Sequence, residues 1–178
     1  GSVPLSTIRK AIVKKASNVG GGITNLYLLP SSLRLIEIQD SIPLISALSN
    51  YGINPTAILK EAVSEIKKDY DYILIDCPPN LGLITLNGIY FSDYYLVPVI
   101  PDVLSTWGIP TITKRMELFN EQHNLKVRPL GIVISMYRGQ SKLHQSKLDE
   151  LRKLRQTPDR RYPGVFNTVI HLAASVAE

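Results

Sequence analysis

Apolar positions recur at two different spacings along this chain, and the alternation of those spacings predicts its elements. Leu26-Tyr27-Leu28-Leu29 is a short apolar run that stops at Pro30, the pattern of a strand. Asn54-Pro55 predicts a helix start, with Asn54 as cap and the proline at the first helical position. Ile58, Leu59, Ala62, Val63 and Ile66 follow at helical spacing and would form one buried stripe. Ile73-Leu74-Ile75 then reads as an apolar strand running straight into Asp76, with a turn at Pro78-Pro79. Residues 81–91 predict a helix, with Leu83, Leu86, Asn87 and Tyr90 three or four apart. Tyr95-Leu96-Val97-Pro98-Val99 predicts a strand. After Gly108, Ile109, Ile112, Met116 and Phe119 predict a helix of about three turns. A buried strand at 130–135, a helix over 141–156 and a strand at 165–170 complete the order.

Strands alternating with helices predict an α/β fold, a mainly parallel sheet with helices on both faces. The 178 residues suffice for one domain with a real core. Thr157 to Gly164, with two prolines and two arginines, reads as a surface loop.

Composition narrows the classes. Hydrophobic content of 44% and charged content of 20% are globular values. No apolar run approaches the roughly 18–20 residues of a membrane span. Gly1-Ser2-Val3-Pro4 lacks the features of a signal peptide. Cys77, the single cysteine, cannot pair internally, which fits a reducing cytoplasm. It reads as a small residue tolerated in a turn. Charge is uneven. Between Arg138 and Arg161, eight basic residues face only Asp149, Glu150 and Asp159, a local excess equal to the whole chain's +5. That concentration points to a polyanion partner, or to a solvated helix face with a basic loop.

The candidate chemistry centres on Asp76. A carboxylate at the carboxyl end of a buried parallel strand sits where open α/β sheets bind ligands, and NTPases use one to hold the water shell of Mg²⁺. A strand leaving through an Asp-containing turn is the plainer reading. No G-x-x-x-x-G-K-[ST] loop occurs; Gly20-Gly21-Gly22 is followed by Ile23-Thr24-Asn25 and a strand, so it reads as a turn. His123 and His144 stand isolated, with no Cys/His cage spacing, and no G-x-S-x-G occurs.

Asp71-Tyr72-Ile73-Leu74-Ile75-Asp76-Cys77-Pro78-Pro79, with Leu81-Gly82-Leu83 and Thr85-Leu86-Asn87, resembles the second-switch motif of the ParA/Soj partition ATPases, MinD-like proteins with a deviant P-loop. Leu96-Val97-Pro98-Val99, Gly131-Ile132-Val133, Ser135-Met136-Tyr137 and Val165 to Ile170 fit later strands of that family, and Leu28-Leu29-Pro30-Ser31 an earlier segment. The resemblance implies an ATP-dependent switch that dimerises around nucleotide and binds DNA without sequence preference. It implies cytoplasmic, nucleoid-associated work in plasmid or chromosome partitioning, with a centromere-binding ParB-like partner and no membrane. ATP and Mg would be the cofactors of the intact parent. Asp76 would hold Mg through water, and Pro78, Pro79 and Asn80 would lie in the segment sensing the γ-phosphate. Met136 and the residues after Ile170, beginning with His171, would line the adenine pocket. Lys142, Lys147, Arg152, Lys153, Arg155, Arg160 and Arg161 would touch the phosphate backbone of DNA.

Against the family pattern, Arg138-Gly139 stands where Asp-Gly is usual, and His171-Leu172-Ala173 where Pro-Arg-Asn is usual. The phosphate-binding loop of the family lies upstream. The chain therefore reads as a single incomplete P-loop NTPase domain, lacking that first strand and the C-terminal helices. Alone it is expected to bind nucleotide poorly or not at all. A missing central strand exposes on the order of 500 Å² of apolar surface, about 12 kcal/mol as an upper bound. The gap should close by sheet rearrangement or by pairing with another copy. An alternative of another class is a nucleotide-independent DNA-binding or dimerisation module, with Lys142, Arg152 and Lys153 turned away from a Leu143/Leu151/Leu154 stripe.

Overall fold

A computed structural model describes residues 4–17, 20–32, 34, 35, 37, 41, 52–154 and 162–173. It forms two compact units, Gly1–Phe91 and Ser92–Glu178.

In the first unit, α1 (Leu5–Ala11) precedes a two-stranded antiparallel pair, β1 (Val13–Lys14) with β2 (Tyr27–Leu28). Gly20, Gly21 and Gly22, all at positive φ, lie in the connection between the two strands. They feed a strand rather than a helix, as their sequence context predicts. The strand expected at 26–29 is only its central two residues. Helix α2 (Ile58–Val63) continues as a 3-10 turn, Ser64–Asp69. Asn54 does not cap it directly. Its Oδ1 accepts the Thr56 N–H at 3.0 Å and the Thr56 hydroxyl at 2.7 Å, closing a turn, and the helix starts four residues later. The predicted stripe is real: Val63 and Ile66 are buried with Ile8 and Phe91, and Leu59, Ala62 and Ile75 pack against them. An Arg9–Asp69 ion pair at 2.7 Å links α1 to the end of the 3-10 turn. Helix α3 (Leu83–Phe91) closes the unit.

The expected strand before Asp76 is corrected by the structure. Residues 72–78 run without assigned secondary structure, and no ladder joins them to any described residue. Tyr72 is 90% and Leu74 96% exposed, so this segment is not a buried strand. The physical reason is that an apolar strand is buried only between neighbours, and none is present among the described residues. A rearranged sheet around this segment is likewise absent among them.

The second unit is built on a parallel three-stranded sheet in the order β3 (Tyr94–Val99), β4 (Arg128–Tyr137), β5 (Val165–His171). Val97, Val99, Ile132, Ile134 and Val165 meet Ile109 of α4 (Val103–His123) and Leu148 and Leu151 of α5 (Lys142–Leu154) in its core. These strands are where the apolar runs place them. Helix α4 spans 21 residues, about twice the expected length, because Gly108 lies inside it rather than before it. The Asp102 carboxylate accepts the Ser105 N–H at 2.7 Å and caps its start. Asn124, in the left-handed region, ends it. The sheet of this unit carries the parallel α/β character that the sequence predicts.

Candidate nucleotide switch and basic face

The Asp76 segment is shaped by the helix that follows it. Gly88 of α3 leaves room for it: a Cβ there would sit 3.1 Å from Ile75 Cγ2 and 3.2 Å from Cys77 Sγ. Ile75 and Cys77 thus lie against the helix, although Cys77 keeps an exposed side, and Asp76, between them in the chain, is exposed. The chain then turns at Pro78-Pro79. Asn80 donates its N–H to the Pro78 carbonyl at 2.7 Å, and its side-chain oxygen accepts the Gly82 N–H at 2.9 Å. Asp76, Pro78, Pro79 and Asn80 therefore share one exposed turn at the start of α3. Partial burial pushes the Cys77 thiol above its ordinary range, and the neighbouring Asp76 charge adds to the effect. A thiol so shifted is protonated at neutral pH, consistent with a small turn residue rather than a nucleophile.

Asn87 ties the turn and helix to the rest of the unit. It is buried, its Nδ2 donates to the carbonyls of Pro55 at 2.7 Å and Leu83 at 3.0 Å, and its Oδ1 accepts the Leu59 N–H at 3.1 Å. Sequence periodicity places Asn87 on the helix but gives no hint of this role. The signal available is a polar residue inside an otherwise apolar stripe.

Asp76 has no ion-pair partner among the described residues, and those residues include no cluster of three His, Cys, Asp or Glu side chains able to ligate a metal directly. A lone exposed carboxylate fits an outer-sphere role toward a hydrated Mg²⁺ and does not fit a protein-built metal cage.

Met136 and His171 both lie at the carboxyl end of the second unit's sheet, where Tyr137, not Met136, is in register with His171. Met136 is exposed with φ at 50°, and the His171 ring meets Tyr137 edge-on at 5.3 Å. His144 is not isolated. Its Nδ1 accepts the Arg138 N–H at 3.2 Å, and its ring lies 6.0 Å from Tyr137. Arg138, which departs from the family pattern, is thus held by its backbone at the strand end. The His123 ring lies tilted against Phe119, with centroids 4.5 Å apart.

On α5, Lys142, Arg152 and Lys153 are exposed. Lys147 is turned inward and paired with Glu150 at 2.7 Å, which neutralises it. The buried stripe is Leu148 and Leu151; Leu143 is exposed, so the expected Leu143/Leu151/Leu154 stripe is shifted. The helix meets its core from Leu148 onward, and Ser141, just ahead of its first residue, accepts the His144 N–H at its Oγ. Arg155, Arg160 and Arg161 lie outside the described residues.

The profile of the AAA_31 family, described as an AAA domain, matches residues 5–128. The chain is 35% identical to an uncharacterized protein, MJECL24, of Methanocaldococcus jannaschii, over 67% of this chain and 50% of that one. It is 28% identical to the sporulation initiation inhibitor protein Soj of Bacillus subtilis, over 74% of this chain and 49% of that one. The chain thus spans about half the length of these curated relatives. In fold it is similar to the cobyrinic acid a,c-diamide synthase of Mycobacterium smegmatis, solved with bound ADP and magnesium, at a TM-score of 0.73 and 22% identity, over 93% of this chain and 59% of that one. One fold thus carries different activities, and lineage is read from the matched sequence rather than from the fold alone. The chain belongs to the AAA domain family, as a ParA/Soj-like member.

Proposed function

We propose that this chain is a single ParA-like domain segment of a partition ATPase, contributing the second switch and a DNA-binding face to a longer protein that segregates plasmid or chromosomal DNA. The observation that carries this reading is the Asp76–Asn80 turn, seated on Gly88 of α3 and leaving the Asp76 carboxylate free toward solvent. In the longer protein Asp76 would hold Mg through water, Pro78 to Asn80 would respond to the γ-phosphate, and Met136 and His171 would border the adenine. Dimerisation around ATP and a ParB-like partner belong to the same reading. The basic face supplies the second half: Lys142, Arg152 and Lys153 would neutralise backbone phosphates, with affinity that falls steeply with salt. Lys147 contributes least, because Glu150 already neutralises it.

The test is Mg-dependent ATP hydrolysis by the longer protein with and without Asp76→Ala. Loss of at least tenfold in turnover supports the reading; unchanged turnover overturns it. ATP turnover by the 178 residues alone, abolished by Asp76→Ala, would contradict the view that the phosphate cradle lies elsewhere.

A further inference from the structure

Asn87 sits where the Asp76 turn is joined to the rest of its unit, and its amide is fully committed there. Nδ2 carries two protons, and both go to protein carbonyls, of Pro55 at 2.7 Å and of Leu83 at 3.0 Å. Oδ1 accepts the Leu59 N–H at 3.1 Å. The reversed amide would set its oxygen against two carbonyls, so this orientation is the one the network permits. No donor is left over for a ligand. The side chain instead holds the first turn of α3 to the turn at 54–57 and to the start of α2. The Asp76 turn hangs on that same first turn of α3. Thr85, buried, donates its hydroxyl to the Pro78 carbonyl at 3.5 Å, Asn80 Oδ1 accepts the Gly82 N–H, and Gly88 lets Ile75 and Cys77 lie against the helix.

We propose that Asn87 is a positioning residue for Asp76: it fixes the register of α3 on residues 54–59, and α3 in turn sets where the Asp76 carboxylate stands. The functional consequence rests on the nucleotide-switch reading above, whereas the mechanical link stands on the geometry alone. Residues 72–78 join no ladder among the described residues, so the Asp76 turn draws its stiffness from the helix behind it. Apolar packing alone would let that helix slide, because the hydrophobic effect is not directional. Three hydrogen bonds to fixed backbone points allow one register. Moving the turn together with α3 therefore either breaks these bonds or carries residues 54–59 along. A carboxylate that holds a hydrated cation needs such support, since groups behind a metal site orient the ones in front.

The test has a local arm and a functional one. In the 178-residue chain, iodoacetamide alkylation of Cys77 reports how closely its segment lies on α3. Asn87→Ala should raise the rate severalfold under conditions where circular dichroism shows the chain folded. Ile8→Ala, a core truncation in the same unit, measures the effect of destabilisation alone and should leave the rate near that of the unaltered chain. An unchanged rate in Asn87→Ala, or an equal rise in Ile8→Ala, overturns the proposal. In the longer protein, Asn87→Ala should raise the Mg concentration for half-maximal ATP turnover on the order of tenfold, with turnover largely restored at saturating Mg. Combined with Asp76→Ala it should add nothing to the loss that Asp76→Ala causes alone, as expected of two residues acting as a unit. Additive losses, or a loss that Mg does not restore, assign Asn87 a purely structural role and overturn the proposal while leaving the switch reading intact. Full turnover in Asp76→Ala overturns that reading, and the proposed consequence with it. Should Asn87→Ala fail to fold, Thr85→Val, which severs the Pro78 link with little change of shape, takes its place in both arms with the same outcomes.

Discussion

Asn87 Oδ1 accepts the Leu59 N–H at 3.1 Å, so a side chain on α3 satisfies a backbone donor in the first turn of α2. The same amide donates to the Pro55 carbonyl at 2.7 Å. A helix start leaves donors without intrahelical partners, and a buried one costs free energy unless paired. Asn87→Ala should therefore destabilise the chain by about 2–3 kcal/mol, read from denaturant midpoints. Asn87→Asp keeps the acceptor but sets a buried carboxyl group against the Pro55 and Leu83 carbonyls, and should cost at least as much as the alanine change.

The Asp102 cap gives a pH-dependent contribution. The Ser105 N–H holds its carboxyl below the usual range, against a smaller opposing effect of desolvation, with the Ser105 hydroxyl and the charge of His144 helping. A depressed folded value means the stabilisation is fully present above the unfolded value of about 3.9, and is lost as pH falls through the lower folded one. Asp102→Ala should cost about 1 kcal/mol near neutrality. Thermal melts of both proteins should converge as pH is lowered below about 4. A gap that stays constant through that range would mean the carboxylate is not the cap.

How much of this was legible in the sequence depends on what each residue leans on. Val97, Ile132, Ile134 and Val165 are buried where continuous apolar runs put them, because their partners are strands of the same unit. Tyr72 to Leu74 is likewise an apolar run and is exposed, because burial needs neighbours and composition does not supply them. The α4 start was hidden by Gly108, which reads as a helix boundary yet lies inside the helix, as does Pro110, about two turns past the Asp102 cap. On α5 Leu151 is buried and Lys142, Arg152 and Lys153 are exposed as the pattern predicts, whereas Leu143 is exposed and Lys147 is half-buried. Among the candidate site residues, the Asp76 turn was readable from its motif; the contacts of Asn87 and His144 were not, because both depend on residues brought together by folding.

Cys77 offers a chemical readout of the Asp76 turn. Burial, then the Asp76 charge, raises its thiol value, so alkylation by iodoacetamide at pH 7 should be slower than for free cysteine. Its rate should climb with pH and level off above the ordinary thiol range. Asp76→Asn removes the negative neighbour and should accelerate the reaction at neutral pH. An unchanged rate in that variant would separate the two side chains.

The basic face is tested by salt. If Arg152 and Lys153 each neutralise a phosphate, Arg152→Ala/Lys153→Ala should lower the slope of log affinity against log salt by about 2 on duplex DNA. The Lys147→Ala change, with Glu150 left unpaired, should weaken binding far less than Lys153→Ala. Equal effects would point to a diffuse field rather than to a face.

The central claim is that Asp76 belongs to a nucleotide switch controlling DNA binding, and the most direct measurement is the DNA affinity of the longer protein with and without ATP and Mg. The account predicts at least a tenfold tighter complex with ATP and Mg, and no gain in Asp76→Ala. Equal affinity in both conditions, or a gain that persists without the Asp76 carboxylate, would contradict it.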